Sequence, residues 1–541
     1  LQTYMCTASI GPGSLNMVTG AALATTNRLP VLLFPSDQFA TRVPDPVLQQ
    51  LEDPTSLDVS VNDAFRPVSR FFDRINRPEQ LIPSLLNAMR VLTDPAETGA
   101  VTVAMPQDVQ AEVFDWPVEF FRKRVWHVRR PVPEPAALER AVALIKAAKR
   151  PLIIAGGGTI YAGASEELRA LATATGIPVG DTQAGKGAIN FDHPSAVGGV
   201  GSTGCDSGNH IADKADLIIG VGTRYSDFTT ASKTQFKNPD VKFVNINVTP
   251  FDAAKESAEM VVADAREALA ALTEALADYH VDQAYSDEIT AEKEAWLKAT
   301  ERCYHLDHGP LPAQTEVFGA LNELMGEEDV VINAAGSMPG DLQALWQARS
   351  PLQYHVEYAF SCMGYEVPAA MGVKLARPEA EVVSIVGDGT YQMLPMELAT
   401  VVQENIKVIY VLLQNYGFCS IGALSESRGS QRFGTKYRQR GEGSHLADEQ
   451  VIDGVDIAVN ARSWGLDVLE VHTIEEFKEA YRKAEASDRP TMIHIETDLY
   501  GPNPPGSSWW DVPVSGVSAL ESTQRAYEDY QRDRKPQRHY L

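Results

Sequence analysis

The sequence predicts an α/β protein of three doubly wound, parallel-sheet domains, the first of them short at its amino-terminal side. Three observations predict it. Continuous apolar runs too short for helices recur along the chain and alternate with stretches of helical periodicity, the pattern of strand–helix–strand units. Several runs end in glycine turns: residues 151–155 before Gly156-Gly157-Gly158, 330–334 before Gly336-Ser337, and 381–386 before Gly387-Asp388-Gly389. The chain has 541 residues, 44% of them hydrophobic, which is enough for about three domains with full-sized cores. The expected boundaries are 1–125, 136–275 and 311–500, with a tail over 501–541.

Each element has a local reason. In the first segment, runs at 31–34 and 100–105 read as strands that bracket helical stretches such as 80–92. The chain opens Leu1-Gln2-Thr3-Tyr4-Met5-Cys6 without an initiator methionine and leads directly into Ile10-Gly11-Pro12-Gly13. It reads as opening inside a strand, so the start of this domain is expected upstream. A proline-marked connection, 129–135, leads to a helix at 136–148. The runs 151–155, 217–221 and 243–248 are the strands of the second segment. The charged stretch 265–310 reads as a helical linker. In the third segment a strand at 381–386, a helix at 394–403 and a strand at 408–413 form one unit, and Asn415 follows its last strand.

Composition removes some classes of function. A net charge of −25 argues against nucleic-acid binding, which needs a basic face. No apolar run approaches the length of a membrane span, and no signal peptide is visible. The five cysteines, Cys6, Cys205, Cys303, Cys362 and Cys419, form no C-x-x-C pair, which fits a reducing, cytoplasmic setting better than a disulfide framework.

The chemistry-bearing residues gather at the ends of predicted strands, the edge where open α/β sheets bind ligands. Asp388, the amide of Asn415 and a nearby backbone carbonyl form an all-oxygen set. Such a set suits a hard cation like Mg²⁺, which also retains phosphate oxygens. Taken alone, Gly387-Asp388-Gly389 reads more readily as a turn. Gly156-Gly157-Gly158 lacks G-x-G-x-x-G spacing and reads as a structural turn. His305 and His308 have metal-like spacing but no third ligand, and read as surface residues. Trp509-Trp510 either covers a pocket or anchors the tail. Gly336-Ser337 is equally a strand-to-helix turn or an anion-binding one.

The arrangement of Gly387-Asp388-Gly389, an intervening helix and then Asn415-Tyr416-Gly417 resembles the thiamine-diphosphate (ThDP) enzyme family. Residues 358–370, with Met363-Gly364 and Pro368-Ala369-Ala370, resemble a further family segment. So do residues 7–16 and 100–110, which resemble the turn and the closing strand of the family's pyrimidine-binding domain. The resemblance covers nearly the whole chain and implies a pyrimidine domain over 1–125, a central domain, and a diphosphate/Mg²⁺ domain over 311–500. It implies ThDP and Mg²⁺ as cofactors. The Mg²⁺ ligands would be the side chains of Asp388 and Asn415 and the carbonyl of Gly417. Gly336, Ser337, Gly387, Gly389 and Thr390 would contact the cofactor, and Met363 would wedge between its two rings. Bending the cofactor this way makes its proton removal intramolecular. Gln414, Cys362 and Glu366 depart from the family pattern. The family's activating glutamate would precede Leu1, so the resemblance supplies no catalytic residue here, and the activity of this length of chain is in question. His355 and Glu366 are either groups that move protons at the substrate or buried structural residues. A homodimer or homotetramer is implied, since the family shares its site between subunits.

Residues 37–50, 182–187, 222–228, 335–343 and 508–512 narrow the resemblance to a hydrolytic branch. It opens a small polyhydroxylated cyclic dione with water during inositol breakdown. Two alternatives stand beside it: a carboligase like acetolactate synthase, and a catalytically silent partner subunit.

Overall fold

The computed structural model describes residues 3–42, 45–440, 446–451 and 454–538. Leu1 and Gln2 of the opening stretch, and Val43 and Pro44 of the 37–50 stretch, lie outside the described residues. The chain divides into two compact units, Leu1–Pro131 and Val132–Leu541. Among the described residues no helix is long and apolar enough to cross a membrane.

The first unit holds four parallel strands, β1 (Met5–Ala8), β2 (Val31–Asp37), β3 (Phe71–Arg74) and β4 (Ala100–Pro106), in the order β1-β2-β4-β3. Six of the seven β4 residues are buried, as a central strand covered on both faces requires. Helix α1 (Leu81–Leu92) packs its Ala88, Val91 and Leu92 with Val101 and Val103 of β4. Two of the segments singled out in the sequence meet here. The carboxylate of Asp108 accepts hydrogen bonds from the backbone N–H groups of Ala40, Thr41 and Val109 and from the Thr41 hydroxyl. Burial alone would raise its pKa, but these donors bring it down to about 2.

The second unit carries two six-stranded parallel sheets. The first comprises β5 (Pro151–Ala155), β6 (Val179–Asp181), β7 (Ala196–Gly199), β8 (Leu217–Val221), β9 (Lys242–Asn247) and β10 (Glu259–Val262). Their order is β10-β9-β8-β5-β6-β7. The chain winds one way from β5 and the other way from β8, so the order reverses between those two strands. Gly156 and Gly222 follow β5 and β8 at that point. A Cβ on Gly156 would stand 2.4 Å from the Gly222 carbonyl oxygen, and Gly222 has φ 60°. The glycines let two backbones touch, which is the structural role expected of them.

The other sheet comprises β11 (Val330–Asn333), β12 (Tyr354–Val356), β13 (Val382–Gly387) and β14 (Ile409–Gln414). A separate antiparallel ribbon, β15 (Arg438–Arg440) with β16 (Leu446–Val451), interrupts the sequence. The sheet then resumes with β17 (Asp467–Val471) and β18 (Thr491–Glu496), in the order β12-β11-β13-β14-β18-β17. Its winding reverses between β11 and β13. Three α/β sheets are therefore present, in agreement with the fold class read from the sequence.

Two expectations need correction. The stretch 265–310 is not a linker. Helix α2 (Ala265–Ala275) buries Leu269 and Leu272 in the core of the β5–β10 sheet. Helix α3 (Gln283–Tyr304) buries Tyr285 and Ile289 there, and Trp296 and Tyr304 in the core of the β11–β18 sheet. Its charges occupy the solvent face, and the buried positions recur at helical spacing. The Trp296 indole N–H donates to Ala344 O at 2.8 Å. The second correction concerns the helix expected at 394–403. Helix starts earlier, at Asp388, breaks at Leu394 and resumes over Glu397–Gln403. Pro395 is the cause: the residue before a proline is driven to extended φ/ψ, and Leu394 has φ −151°.

Candidate functional site

The crevice where winding reverses in the β11–β18 sheet is the default ligand site of such a fold. The loops after β11, β13 and β14 meet there, and they carry the residues singled out in the sequence. Gly387 caps the short helix α4 (Asp388–Met393), so the Gly-Asp-Gly segment is the start of a helix rather than a free turn. Asp388 is 1% exposed. Its Oδ1 accepts the Gly389 N–H at 2.8 Å, and its Oδ2 accepts the N–H groups of Asn415 at 3.3 Å and Gly417 at 3.2 Å. Burial pushes its pKa up to about 6 against these backbone donors. The strand ends β13 and β14 thus bring Asp388, Asn415 and Gly417 together. Gly417 has φ 154°, and a Cβ there would lie 2.2 Å from Thr435 O, so only glycine fits. The Cys419 thiol donates to Asn415 Oδ1 at 2.9 Å.

Across the crevice, Gly336 follows β11 with φ 92°, and a Cβ built on it would meet nothing within 4 Å. The open space lies directly beside the loop. The Ser337 hydroxyl donates to Gln314 Oε1 at 3.2 Å, and the Gln314 amide donates to Asp341. Burial pushes the Asp341 carboxyl up to about 7, against that hydrogen bond.

Met363 is half-buried beside these loops in sequence. Its segment is held from both sides. Glu357, 3% exposed, accepts the N–H groups of Phe360 at 2.9 Å and Cys362 at 2.8 Å. The Gly364 N–H donates to Thr390 Oγ1 at 3.0 Å, and a Cβ on Gly364 would meet Leu394 Cβ at 2.7 Å. Helix α5 (Glu366–Ala376) follows. Of the two proton-moving candidates, His355 is partly open, with Nε2 2.7 Å from the Tyr365 hydroxyl. Burial lowers its pKa, against the nearby Glu357 carboxylate. Glu366 is wholly buried and engaged by Ala335 N–H and the Thr390 hydroxyl.

Other residues singled out in the sequence lie elsewhere. His305 pairs with Glu301 and Glu323, while His308 pairs with Asp498 at 2.7 Å, so the two histidines serve different carboxylates. Trp510 anchors the tail on the β5–β10 part of the unit. Its indole N–H donates to Asp227 at 3.1 Å, and its ring lies 4.8 Å from Phe228. Sequence reasoning missed Gln314 and Glu357, which belong to no motif, and gave Asp341 no role although it lies in the 335–343 stretch. Glu357 directly follows the short strand β12 (Tyr354–Val356), too polar a run to be read as a strand from the sequence.

The residues present fit a diphosphate cofactor with a hard cation. The buried Asp388 carboxylate is bound to the backbone of Asn415 and Gly417, and Asn415 Oδ1 and the Gly417 carbonyl lie 2.9 and 3.8 Å from one atom, the Cys419 sulfur. Gly336, on the loop after β11, has open space beside it.

Comparison with known proteins accords with this geometry. Residues 138–272 match the family described as thiamine pyrophosphate enzyme, central domain. Residues 334–495 match thiamine pyrophosphate enzyme, C-terminal TPP binding domain. The chain is 46% identical over 551 aligned residues to a protein of Bacillus cereus (strain AH820) named 3D-(3,5/4)-trihydroxycyclohexane-1,2-dione hydrolase, covering 97% of this chain and 85% of the relative. Proteins of the same name from Bacillus anthracis (strain CDC 684 / NRRL 3495) and Bacillus thuringiensis (strain Al Hakam) match at the same identity and coverage. With likeness running along nearly all of its length, this chain belongs to the thiamine-diphosphate-dependent enzymes and, within them, to the family of the 3D-(3,5/4)-trihydroxycyclohexane-1,2-dione hydrolases.

Proposed function

We propose that this protein is a ThDP- and Mg²⁺-dependent hydrolase. In this reading it opens the ring of 3D-(3,5/4)-trihydroxycyclohexane-1,2-dione with water, giving 5-deoxy-glucuronate in myo-inositol catabolism. The observation that carries this is the 46% identity over 97% of the chain to hydrolases of that name. The convergence of Asp388, Asn415 and Gly417 at the sheet's reversal point supports it.

In this reading Asp388, Asn415 and the Gly417 carbonyl hold Mg²⁺. Gly336, Ser337, Gly387, Gly389 and Thr390 hold the diphosphate, and Met363 supports the bent form of the cofactor. Bound there, ThDP supplies the electron sink for breaking a bond between adjacent carbonyl carbons. The chain's own part is to place the substrate, admit one water and move protons. His355, hydrogen-bonded to Tyr365, is the group we assign to proton movement at the substrate. The first unit is assigned to the pyrimidine, and a homodimer or homotetramer is the working assembly. Five free cysteines fit a cytoplasmic enzyme.

The test is product analysis in ¹⁸O-labelled water. One labelled oxygen is expected in the carboxylate of the ring-opened product. Carboligation of pyruvate with release of CO₂, and no ring opening, would replace this reading with the acetolactate synthase-like one.

A further inference from the structure

Glu366 is wholly buried at the start of α5, at a point where three loops of the crevice meet. Its Oε1 accepts the Ala335 N–H at 3.2 Å, from the loop that continues into Gly336 and Ser337. Its Oε2 lies 3.5 Å from Thr390 Oγ1, next to Gly389 on α4. Thr390 Oγ1 in turn accepts the Gly364 N–H at 3.0 Å, beside Met363.

The hydrogen-bond inventory of Thr390 is small. A hydroxyl has one proton and two lone pairs, and Gly364 occupies one lone pair. One proton and one lone pair remain, with the Glu366 carboxyl as the neighbouring titratable group. An ionised Glu366 can only accept, and so takes the Thr390 proton. A protonated Glu366 can donate to the free lone pair, and so releases that proton to point elsewhere.

We propose that Glu366 is a positioning residue for the diphosphate: carrying a proton, it donates to Thr390 Oγ1 and leaves the Thr390 hydroxyl free to donate to a diphosphate oxygen; ionised, it withdraws that donor and adds a buried negative charge beside the anion. The inference rests on the assignment of Thr390 to the cofactor made above. Burial supports it by pushing the Glu366 carboxyl up to about 7, against hydrogen bonds from backbone N–H groups and Thr390. The elements packed around Glu366 bring few other titratable groups. The β11 loop offers only the Ala335 N–H, and β13 offers Ser384, whose hydroxyl donates to Glu366 O at 2.9 Å. Tyr365 and Cys362 precede it; burial raises both pKa values first, followed for Tyr365 by Glu357, Tyr161 and Glu366 and for Cys362 by Glu357 and Glu366. Asp388 stands two residues before Thr390 on α4.

The experiment is calorimetric titration of the full chain with ThDP in saturating Mg²⁺ at pH 6, 7 and 8. It compares wild type with Glu366→Gln, Glu366→Leu and Thr390→Val. Glutamine mimics the protonated acid, because its amide N–H donates at all pH values. Wild-type affinity is expected to fall by about tenfold more than that of Glu366→Gln between pH 6 and 8, the change in protonated fraction for a pKa near 7. Any contribution from Asp388 is common to both proteins and cancels. Glu366→Leu is expected to lose the pH dependence, and Thr390→Val to bind more weakly than wild type at pH 6 and to show a shallower fall between pH 6 and 8. Parallel pH profiles for wild type and Glu366→Gln would overturn the proposal while leaving the cofactor site intact. Absence of ThDP binding by wild type at every pH would overturn the site assignment itself. Because glutamine is nearly isosteric, the test survives even if the leucine variant fails to fold.

Discussion

Cys419 holds the Asn415 carboxamide, its thiol 2.9 Å from Oδ1, the oxygen that the proposed metal site uses. An amide oxygen has two lone pairs, so thiol and metal can share it, and the thiol is a weak donor. Asn415→Ala is expected to lower Mg²⁺-dependent ThDP affinity by roughly a hundredfold, and Cys419→Ala by less than about tenfold. Calorimetric titration of both variants checks the ranking. Equal losses would mean that the thiol, not the amide, is the group that matters.

Asp388 sets a pH window. Its carboxyl is pushed up to about 6 in the fold, above the ordinary value of 3.8. A carboxyl raised on folding contributes stability below its unfolded pKa and loses it as pH rises through the folded value. Without metal, Asp388 should therefore lower Tm as pH climbs from about 4 to 6. Mg²⁺ binds the ionised form, so the sign reverses for the metal effect. The Tm gain from Mg²⁺ should be near zero at pH 5 and full by about pH 7.5. Thermal melts with and without Mg²⁺ measure it, and a gain independent of pH would separate Asp388 from the metal.

Gly156 separates a structural turn from a nucleotide loop. Its missing side chain lets the backbone pass against Gly222, with the N–H of Gly156 donating to Val221 O at 2.8 Å. Gly156→Ala is expected to destabilise the second unit by about 1–3 kcal/mol through overpacking. Chemical denaturation reads the change. Full stability in the alanine variant would mean that the two loops are not packed as described.

Asp108 ties the segment 37–50 to the end of β4 through three hydrogen bonds, accepts a fourth from its neighbour Val109, and its pKa falls to about 2. A carboxyl depressed on folding stabilises above its unfolded pKa, and that contribution is lost as pH falls through the folded value. Asp108→Ala is expected to cost on the order of 1–3 kcal/mol at pH 7. The cost should shrink as pH is lowered from about 4 toward 2. Limited proteolysis at Thr41, or denaturant melts at two pH values, would register it.

Much of this architecture was legible in the residues themselves. Strands β5, β8, β11, β13 and β14 are covered on both faces, so each is an unbroken apolar run with little to mistake it for. Asp388 and Asn415 were legible because their chemistry sits at the ends of two such runs. The crevice itself was not, because the reversal between β11 and β13 depends on strand order, which no local pattern encodes. Helix α3 was misread since its charges dominate the composition while Tyr285, Ile289, Trp296 and Tyr304 are widely spaced. The break at Leu394 was written in Pro395 but lost against the helical periodicity that follows it. Glu366 showed only as a departure from a pattern. Its position between Ala335 and Thr390 comes from three loops converging in space.

Helix α3 also has a consequence for how the protein is made. It leaves the ribosome after the β5–β10 sheet is complete, with Tyr285 and Ile289 ready to dock on a finished core. Trp296, on the same helix, can rest on Gly198 of β7 at once, but its indole N–H and the Tyr304 hydroxyl lack their acceptors, Ala344 O and Leu345 O, until those later residues have been synthesised. For the whole of that interval the nascent chain carries an aromatic flank with these donors unmatched, at the end of an otherwise folded sheet. Slowing translation between Tyr304 and Leu345 lengthens the period in which these two groups lack those acceptors.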